Sequence, residues 1–490
     1  MTFQIYNSLT NKLEVFKPVK EGRVRMYNCG PTVYGYASIG NFRTFVVCDL
    51  LRRFLEYKGY GVTQVMNITD VGHLTDDGDD GEDKLEVTAK KEKKHPLEIA
   101  KYYTEAFMKD WRTLNMKEPE FRPKATETVG EMIAMVKVLL EKGYAYEAGG
   151  NVYFDITSFK DYGKLSGNYL EKLTKSRVES DPNKRNPHDF VLWFGNSKYK
   201  NHILKWDSPW GEGYPGWHME CSAMSAKYLS EAFDNSAFHP EKFETIDIHT
   251  GGEDNKFPHH ECEIAQTEGA TGKKYVNYWL HPSFLISEGQ KMSKSLGNVY
   301  HIFELVKEGF SPRAIRYLLL STHYRIKLNF TKEGLKASEK ALERIDTTLQ
   351  KLDGIRAGIE YNEPLGLAVN EMLLAVENEL DNDLNISGAL GAVFETLKTI
   401  NKAIDEEKVG KHQAQEIIKK FFEMDRVFGL LDKSIFEKEE LPPEIATLLE
   451  ERSQARENKD FETSDRIRDE LKEKGYLVKD TKEGQQVEKL

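Results

Sequence analysis

The first part of the chain alternates between two patterns of hydrophobic residues. Residues 23–29 alternate apolar and polar side chains and end at Gly30-Pro31, which predicts a strand that runs into a turn. Between residues 41 and 58 the apolar positions recur three and four apart, as on one face of a helix. Residues 61–67 predict a second strand. This order of strand, helix and strand predicts two parallel strands joined by a right-handed crossover.

The pattern in the rest of the chain predicts further regions. Short strand signals predominate between about residues 126 and 215. A long helical pattern begins at about residue 312 and extends towards the C-terminus. The predicted fold class is therefore α/β, with a Rossmann-type, doubly wound parallel-sheet domain that contains an insertion. The predicted boundaries are 1–125 and 216–311 for the sheet domain, 126–215 for the inserted connective module, 312–440 for a helix bundle and 441–490 for a small C-terminal region.

Composition limits the functions that such a chain can have. The formal net charge is −11, which argues against binding of nucleic acid through overall charge but leaves room for a local basic face. No segment reaches the roughly 20 uninterrupted apolar residues of a membrane span. The N-terminus lacks the basic and apolar regions of a signal peptide. We therefore expect a cytoplasmic protein without a membrane segment.

A charged stretch follows the second predicted strand. Residues 76–83 are mostly acidic and residues 90–94 are mostly basic, which is typical of a solvent-exposed loop and helix surface. The acidic run resembles a calcium-binding loop, but it lacks the glutamate at the twelfth position and the flanking helix pair. We reject a calcium site there.

The segment from Cys29 to Asn41 lies where the first strand ends and the helix begins. Such a junction favours an anion, because the free N–H groups of the first helical turn and the helix dipole both attract negative charge. Gly40 would let a nucleotide base approach the backbone closely. An ordinary strand-to-helix turn is the alternative interpretation.

A second candidate site is the sequence Lys291-Met292-Ser293-Lys294-Ser295, within a loop rich in glycine and serine. Two lysines on a loop suit a triphosphate whose charge shifts during a reaction. The alternative is a solvent-exposed loop without a function.

A third candidate is a set of metal-ligating residue types. His259 and Glu263 are four residues apart and would share one face of a helix. Cys221 precedes them, and Cys29 stands at a strand end that could meet them. Zinc accepts such a set of ligands. Spacing alone does not choose Glu263 over Cys262, and it leaves open that Cys29 is a buried core residue. Four cysteines in a chain of 490 residues are too sparse for a disulfide scaffold.

Together, and in this order, the three segments resemble class I aminoacyl-tRNA synthetases. The cysteines and the sequence Phe257-Pro258-His259-His260-Glu261-Cys262-Glu263 narrow the resemblance to the cysteinyl enzymes. The similarity covers nearly the whole chain, including 314–320 and 455–469, which in that family belong to a helix bundle and an anticodon-binding end.

The resemblance implies a role for specific residues. It places the ligands of one zinc ion per subunit on Cys29, Cys221, His259 and Glu263, and other positions of the cysteine pocket on Thr32, Thr69, Trp217, His249 and Asp254. The expected catalytic residues are Ser38, Asn41, Lys291 and Lys294, and the expected nucleotide-binding residues are Gly40, Lys291, Met292, Ser293, Lys294 and Ser295.

The implied activity is the joining of cysteine to ATP, with Mg²⁺, and then to tRNA-Cys, by a protein expected to be a monomer. Zinc would recognise the substrate thiolate. One position departs from the family pattern, because Ser38 stands where a histidine usually begins the junction. Loss of such a phosphate donor could lower the rate by about 10²–10³-fold. Two alternatives are a non-catalytic tRNA-binding relative and a cysteine ligase that acts on an amino sugar.

Overall fold

The computed structural model describes residues 2–71, 74, 82–169, 181–196, 202–293, 296–437, 442–481 and 484–489. The chain forms two compact units, Met1–Leu431 and Asp432–Leu490. Within the described residues, no helix is both long enough and apolar enough to cross a membrane.

The N-terminal part of the first unit contains the predicted strand, helix and strand. A hairpin precedes them and two helices follow. The elements are β1 (Gln4–Asn7), β2 (Lys12–Val15), β3 (Arg23–Asn28), α1 (Ile39–Tyr57), β4 (Gly61–Met66), α2 (Lys84–Glu92) and α3 (Pro96–Thr113). Strands β3 and β4 pair in parallel along their whole lengths, and the apolar face of α1, including Phe45, Leu51 and Phe54, is buried. The prediction for this region is confirmed.

A second region has its own antiparallel sheet. Its strands are ordered β5-β6-β7-β8, and Val152 and Trp193 in it belong to the same hydrophobic core as Val65 and Trp279 of the sheet domain. The elements are α4 (Val129–Glu141), β5 (Ala145–Ala148), β6 (Asn151–Phe154), β7 (Phe190–Phe194) and β8 (Tyr214–Pro215).

The chain then returns to the parallel sheet. The elements are α5 (Trp217–Leu229), β9 (Phe233–Asp234), β10 (Ala237–Phe238), β11 (Ile246–Thr250), α6 (His259–Thr271) and β12 (Val276–Leu280). The sheet has the order β12-β11-β3-β4, and all three pairings are parallel. Because parallel strands place their carboxyl ends at one edge, the residues that follow β3, β4 and β11 lie close together.

The remainder of the first unit is mainly helical. The elements are β13 (Leu285–Ser287), β14 (Gln290–Lys291), α7 (Ile302–Lys307), α8 (Pro312–Leu320), β15 (Leu328–Phe330), α9 (Lys332–Gly354), α10 (Glu363–Asp381), α11 (Ile386–Asp405) and α12 (Lys411–Phe428). Buried Arg316 of α8 lies 2.5 Å from Asp49 of α1 and donates to the carbonyl of Phe428. A buried pair of this kind is costly to break, because removing one partner leaves the other charge uncompensated. It fixes α8 and α12 against α1.

The second unit is a helical pair with a two-stranded sheet. Its elements are α13 (Pro443–Glu457), α14 (Phe461–Glu473), β16 (Tyr476–Thr481) and β17 (Gly484–Lys489). Ile445, Ile467 and Leu471 are in its small core, and buried Arg452 donates to both oxygens of Asp480. The predicted α/β fold class, with a parallel sheet, an insertion, a helical region and a separate C-terminal domain, is confirmed.

Candidate active site

The carboxyl ends of the parallel strands carry the first residues of the site. Cys29 directly follows β3, Thr69 lies shortly after the end of β4, and His249 is in the last part of β11. The Cys29 N–H donates to the carbonyl of Thr250 at 2.9 Å, which continues the pairing of β3 with β11 beyond the strand. The sheet itself therefore fixes the position of the Cys29 side chain.

The structure brings together all four residues of the implied zinc set. Cys29, Cys221, His259 and Glu263 are buried, and one ligand atom of each lies within 4.8 Å of the others. Cys221 Sγ is 3.4 Å from His259 Nε2, and His259 Nε2 is 3.1 Å from Glu263 Oε1. His259 and Glu263 share one face of α6, as their spacing predicted.

A second group overlaps the first and includes a residue that the sequence did not single out. Cys29, His249, His260 and Glu263 also lie within 4.8 Å of one another. His260 Nε2 is 3.2 Å from Cys29 Sγ, and His260 Nδ1 is 2.7 Å from His281 Nε2. The adjacent pair His259-His260 was the available signal in the sequence, whereas His281 is distant in sequence and carried none.

Outer partners hold the ligand atoms towards the cluster. Glu263 Oε2 accepts from the Tyr275 hydroxyl at 3.0 Å and lies 3.0 Å from His249 Nε2, which leaves Oε1 facing His259. His259 Nδ1 lies 2.8 Å from His218 Nδ1, so that its Nε2 is directed inward. Metal-binding histidines and carboxylates characteristically have such partners on the side away from the ion.

Burial favours the neutral forms of the two cysteine thiols and of His260 and His281 as long as no cation is bound. Burial raises the pKa of the Cys29 thiol and raises that of Cys221 well above its usual value. Burial also lowers the pKa of His260 and lowers that of His281 to about 3. Neutral imidazole is the form that binds metal, and a cation would stabilise the thiolates that burial disfavours. The donor set therefore fits a zinc ion.

The two other cysteines have different surroundings. Cys262 Sγ is 3.6 Å from the Tyr162 hydroxyl, and Cys262 is in neither of the two groups that could hold a metal among the described residues. Cys48 Sγ lies 3.0 Å from Thr250 Oγ1. The geometry favours Glu263 over Cys262, a choice that spacing alone left open.

Several of the implied pocket residues surround this cluster. The Trp217 ring stacks on His259 with 4.1 Å between ring centres, and the His249 ring stacks on Trp279. Thr32 forms an isolated parallel bridge with Thr69. Asp254 is exposed, in a short 3₁₀ helix, Glu253–Lys256.

Thr69 has a buried partner that the sequence did not identify. Its hydroxyl donates to Glu220 Oε2 at 2.9 Å and accepts from Asn67 Nδ2 at 3.0 Å. Glu220 is fully buried, and this burial raises its pKa well above the usual value. In this arrangement the Thr69 proton is donated to Glu220, and the hydroxyl has one lone pair left to accept a hydrogen bond from a ligand.

The start of α1 is capped by its own side chains. The Ser38 hydroxyl accepts from the Asn41 N–H at 3.3 Å and donates to Asn41 Oδ1 at 2.8 Å, while Asn41 Oδ1 also accepts from the Ser38 N–H. The Ile39 N–H donates to the carbonyl of Tyr300. Part of the donor capacity expected at this helix start is therefore used within the protein.

The loop after β13 lies directly against this helix start. A Cβ on Gly40 would collide with Met292 Cε, the flexible end of that side chain, so Met292 lies directly over Gly40. Asn298 accepts from the Ser293 N–H at 2.8 Å and donates to the carbonyl of Lys291, and the Lys291 side chain is exposed. Lys294 and Ser295 are outside the described residues.

Comparison with protein-family models gives three matches. Residues 15–340 match the model of the class I (C) tRNA synthetase catalytic domain, and residues 375–432 match the DALR domain. Residues 438–487 match the model described as the cysteinyl-tRNA ligase anticodon binding domain.

Curated relatives match along the whole length. The cysteine–tRNA ligase of Chlorobaculum tepidum is 43% identical, with 99% of this chain and 98% of that protein covered. The cysteine–tRNA ligase of Treponema denticola is 43% identical over 98% of both chains, and that of Thermococcus onnurineus is 41% identical over 99% of this chain and 98% of its own.

Solved structures of related enzymes share the fold. LeuRS of Agrobacterium radiobacter, in a ternary complex with tRNA, has a TM-score of 0.61 at 13% identity and covers 86% of each chain. Mycobacterium tuberculosis methionyl-tRNA synthetase has a TM-score of 0.56 at 13% identity, over 83% of this chain and 90% of its own. The full-length matches confirm the resemblance found in the sequence and favour it over the amino-sugar ligase and the non-catalytic relative. The chain belongs to the cysteine–tRNA ligases, a family of class I aminoacyl-tRNA synthetases.

Proposed function

We propose that this chain charges tRNA-Cys with cysteine in two steps and selects the amino acid through a zinc ion. The observation that carries this proposal is the buried cluster of Cys29, Cys221, His259 and Glu263 at the carboxyl ends of the parallel strands. These four residues would hold the ion. When bound, zinc accepts a thiolate and lowers the pKa of the thiol, whereas an alcohol stays neutral and binds poorly.

A thiol-selective site is needed because serine competes with cysteine for the pocket. Serine differs from cysteine by one oxygen in place of sulfur, and shape alone rejects so similar a side chain by only about 10–200-fold. A thiol-selective site removes the need for a separate editing reaction. The fixed positions of Cys29 on the sheet and of Glu263 between Tyr275 and His259 keep the ligand set in place before substrate arrives.

Other residues of the pocket would orient the amino acid. Thr69 donates its proton to Glu220, so towards a ligand its hydroxyl acts as an acceptor. An acceptor suits the ammonium group of cysteine, which is a donor. Trp217, stacked on His259, would exclude water from one side of the pocket. We assign Thr32, His249 and Asp254 to the same pocket.

ATP would bind between the start of α1 and the loop that contains Lys291. In activation, a carboxylate oxygen of cysteine attacks the α-phosphorus in line, and the bond to the bridging oxygen of pyrophosphate breaks. Little covalent chemistry is required of the protein, so placement and charge stabilisation dominate. Lys291 and Lys294 would neutralise charge that develops on the leaving pyrophosphate, with Mg²⁺ arriving together with ATP.

At the start of α1, backbone N–H groups would contribute more to binding of the phosphates than the Ser38 side chain would. Ser38 gives its hydroxyl proton to Asn41, so these two residues fix the helix start that faces the phosphates. Gly40 lies there against Met292 of the opposite loop, and we assign Gly40, Met292, Ser293 and Ser295 to the nucleotide site. In the second step a ribose hydroxyl of the tRNA attacks the adenylate carbonyl, and AMP leaves.

We propose that the domains have the boundaries predicted from the sequence and that each has a separate role. Residues 1–125 and 216–311 would carry activation, 126–215 the insertion, 312–440 the helix bundle and 441–490 recognition of the anticodon. The match of residues 438–487 to an anticodon binding domain supports the last assignment. A cytoplasmic monomer is expected, and free thiols in the cluster suit a reducing compartment.

Charging of total tRNA tests the proposal. The full chain, loaded with zinc, is incubated with labelled cysteine, ATP and Mg²⁺, and with an excess of unlabelled serine. We expect labelled tRNA whose yield serine does not reduce. Folded, zinc-containing protein that charges no tRNA would contradict the proposal, and competition by serine would contradict the selection step alone.

A further inference from the structure

A pair of exposed tyrosines lies beside the start of α1, and the activation step does not use them. Tyr36 is in the loop that leads to Ser38, and its hydroxyl lies 2.7 Å from the hydroxyl of Tyr102 on α3. The Tyr36 ring lies 4.6 Å from that of Phe303. The exposed fractions are 38% for Tyr36 and 47% for Tyr102. Neighbouring large rings in contact with solvent are typical of a binding surface.

A lysine lies over one ring of this surface, because Lys94 Nζ is 5.5 Å from the centre of the Tyr102 ring. Residues 90–94 contain four lysines and one glutamate, in a chain whose formal net charge is −11. The last lysine of this basic run therefore lies next to an exposed aromatic ring.

We propose that this aromatic–lysine strip, formed by Tyr36, Tyr102 and Lys94, binds the single-stranded 3′ end of the tRNA. Unpaired bases stack on aromatic rings, and lysines neutralise the phosphates between them. A duplex would not offer its base faces in this way. The proposal rests on the proposed function, since it gives the acceptor end of the charged tRNA a place on the protein.

The position of the strip agrees with this partner. Tyr36 precedes Ser38 by two residues, and the Tyr36 ring lies 5.8 Å from that of His301. His301 Nδ1 lies 3.1 Å from the carbonyl of Ala37, which joins the segment after the Lys291 loop to the start of α1. A chain end lying on the strip would thus be next to both segments assigned to ATP, where its terminal ribose must meet the adenylate.

The test is a thermodynamic double-mutant cycle, in which removal of the Tyr102 ring is combined with removal of the single-stranded 3′ end of the tRNA. Dissociation constants are measured at fixed salt for the full-length protein and for Tyr102→Ala, each with intact tRNA-Cys and with tRNA-Cys that lacks its single-stranded 3′ end. For intact tRNA we expect Tyr102→Ala to weaken binding by about 10-fold. For the truncated tRNA the same substitution should change binding by less than about twofold. Tyr102→Phe keeps the ring and should bind intact tRNA like the unmodified protein.

A matched pair of lysines controls for charge. Lys94 and Lys398 are both exposed and both ion-paired, to Glu92 at 3.0 Å and to Glu395 at 2.8 Å. Lys94→Ala should weaken binding of intact tRNA and reduce its dependence on salt, by about one unit of the log–log slope, whereas Lys398→Ala should do neither.

Three outcomes would overturn the proposal. They are equal weakening of both tRNAs by Tyr102→Ala, no weakening of either, or a raised KM for ATP in ATP–pyrophosphate exchange, which would assign the ring to the nucleotide. The proposed function can fail separately, because the binding cycle requires no charging. An unmodified protein that binds tRNA-Cys and never charges it would contradict the proposed function and leave the cycle interpretable.

Discussion

The two sides of the candidate active site are built differently. On the cysteine side the four ligating residues are buried, and outer partners such as Tyr275 and His218 fix their orientation. On the nucleotide side Asn41 and Lys291 are exposed, and Met292 approaches Gly40 from the opposite loop. A preorganised pocket suits discrimination between similar amino acids, whereas an exposed loop suits a triphosphate that must enter, react and leave.

The largest effect is expected from a substitution that disrupts only the cysteine side of the site. Cys221→Ala removes a buried ligand, and even substitutions of outer partners commonly lower metal affinity by 10–100-fold, so we expect cysteine-dependent ATP–pyrophosphate exchange to fall by about 10³-fold or more. Zinc content, measured on the same preparation, should fall in parallel. Binding of ATP by itself should remain.

Cys262→Ala is the matched control for that substitution. It removes a buried thiol from the same helix that carries His259 and Glu263, but its sulfur is near Tyr162 and not in the cluster. We expect it to retain zinc and exchange activity. Loss of zinc from Cys262→Ala with retention by Cys221→Ala would show that the ligand set has been assigned wrongly.

A smaller effect is expected on the nucleotide side. Lys291→Ala removes a positive charge that we assign to the transition state of activation, which should lower the rate of exchange by about 10²-fold. Binding of cysteine without ATP, followed by calorimetry, should be unchanged because Lys291 is not in the buried cluster. An unchanged exchange rate, or an equal loss of cysteine binding, would contradict the separation of the two sides.

The smallest effect is expected at Ser38. Ser38→Ala removes the cap of α1, which is typically worth about 1 kcal/mol, so the amides of the first helical turn should exchange with deuterium about fivefold faster. The hydroxyl gives its proton to Asn41, and we therefore expect the activation rate to fall by less than the roughly 10²-fold that loss of a direct phosphate donor costs. A larger fall would show that Ser38 contacts the phosphates.

Local signals in the sequence were sufficient for part of this description. The alternating and helical periods gave β3, α1 and β4, because those patterns follow from backbone geometry. The spacing of His259 and Glu263 likewise follows from the helical repeat. The motif of Ser38 with Asn41 three residues later carried a capping signal that could have been used.

Other features depend on contacts between distant segments. Thr69 and Glu220 are 151 residues apart, and His260 and His281 are 21 residues apart, so no local pattern could have indicated either pair. The choice between Cys262 and Glu263 depends on a rotation of about 100° along α6 relative to Cys29, which is fixed by the sheet. Such positions become evident only once the strand order brings the carboxyl ends together.

Selection of the thiol by zinc is the central claim, and calorimetry of amino-acid binding tests it most directly. Cysteine and serine are titrated into zinc-loaded protein and into the same protein stripped of metal and checked for fold by circular dichroism. We expect the zinc form to prefer cysteine by more than the roughly 200-fold that shape can provide, and the metal-free form to lose that preference. Metal-free protein that binds cysteine as tightly as the zinc form would contradict the claim.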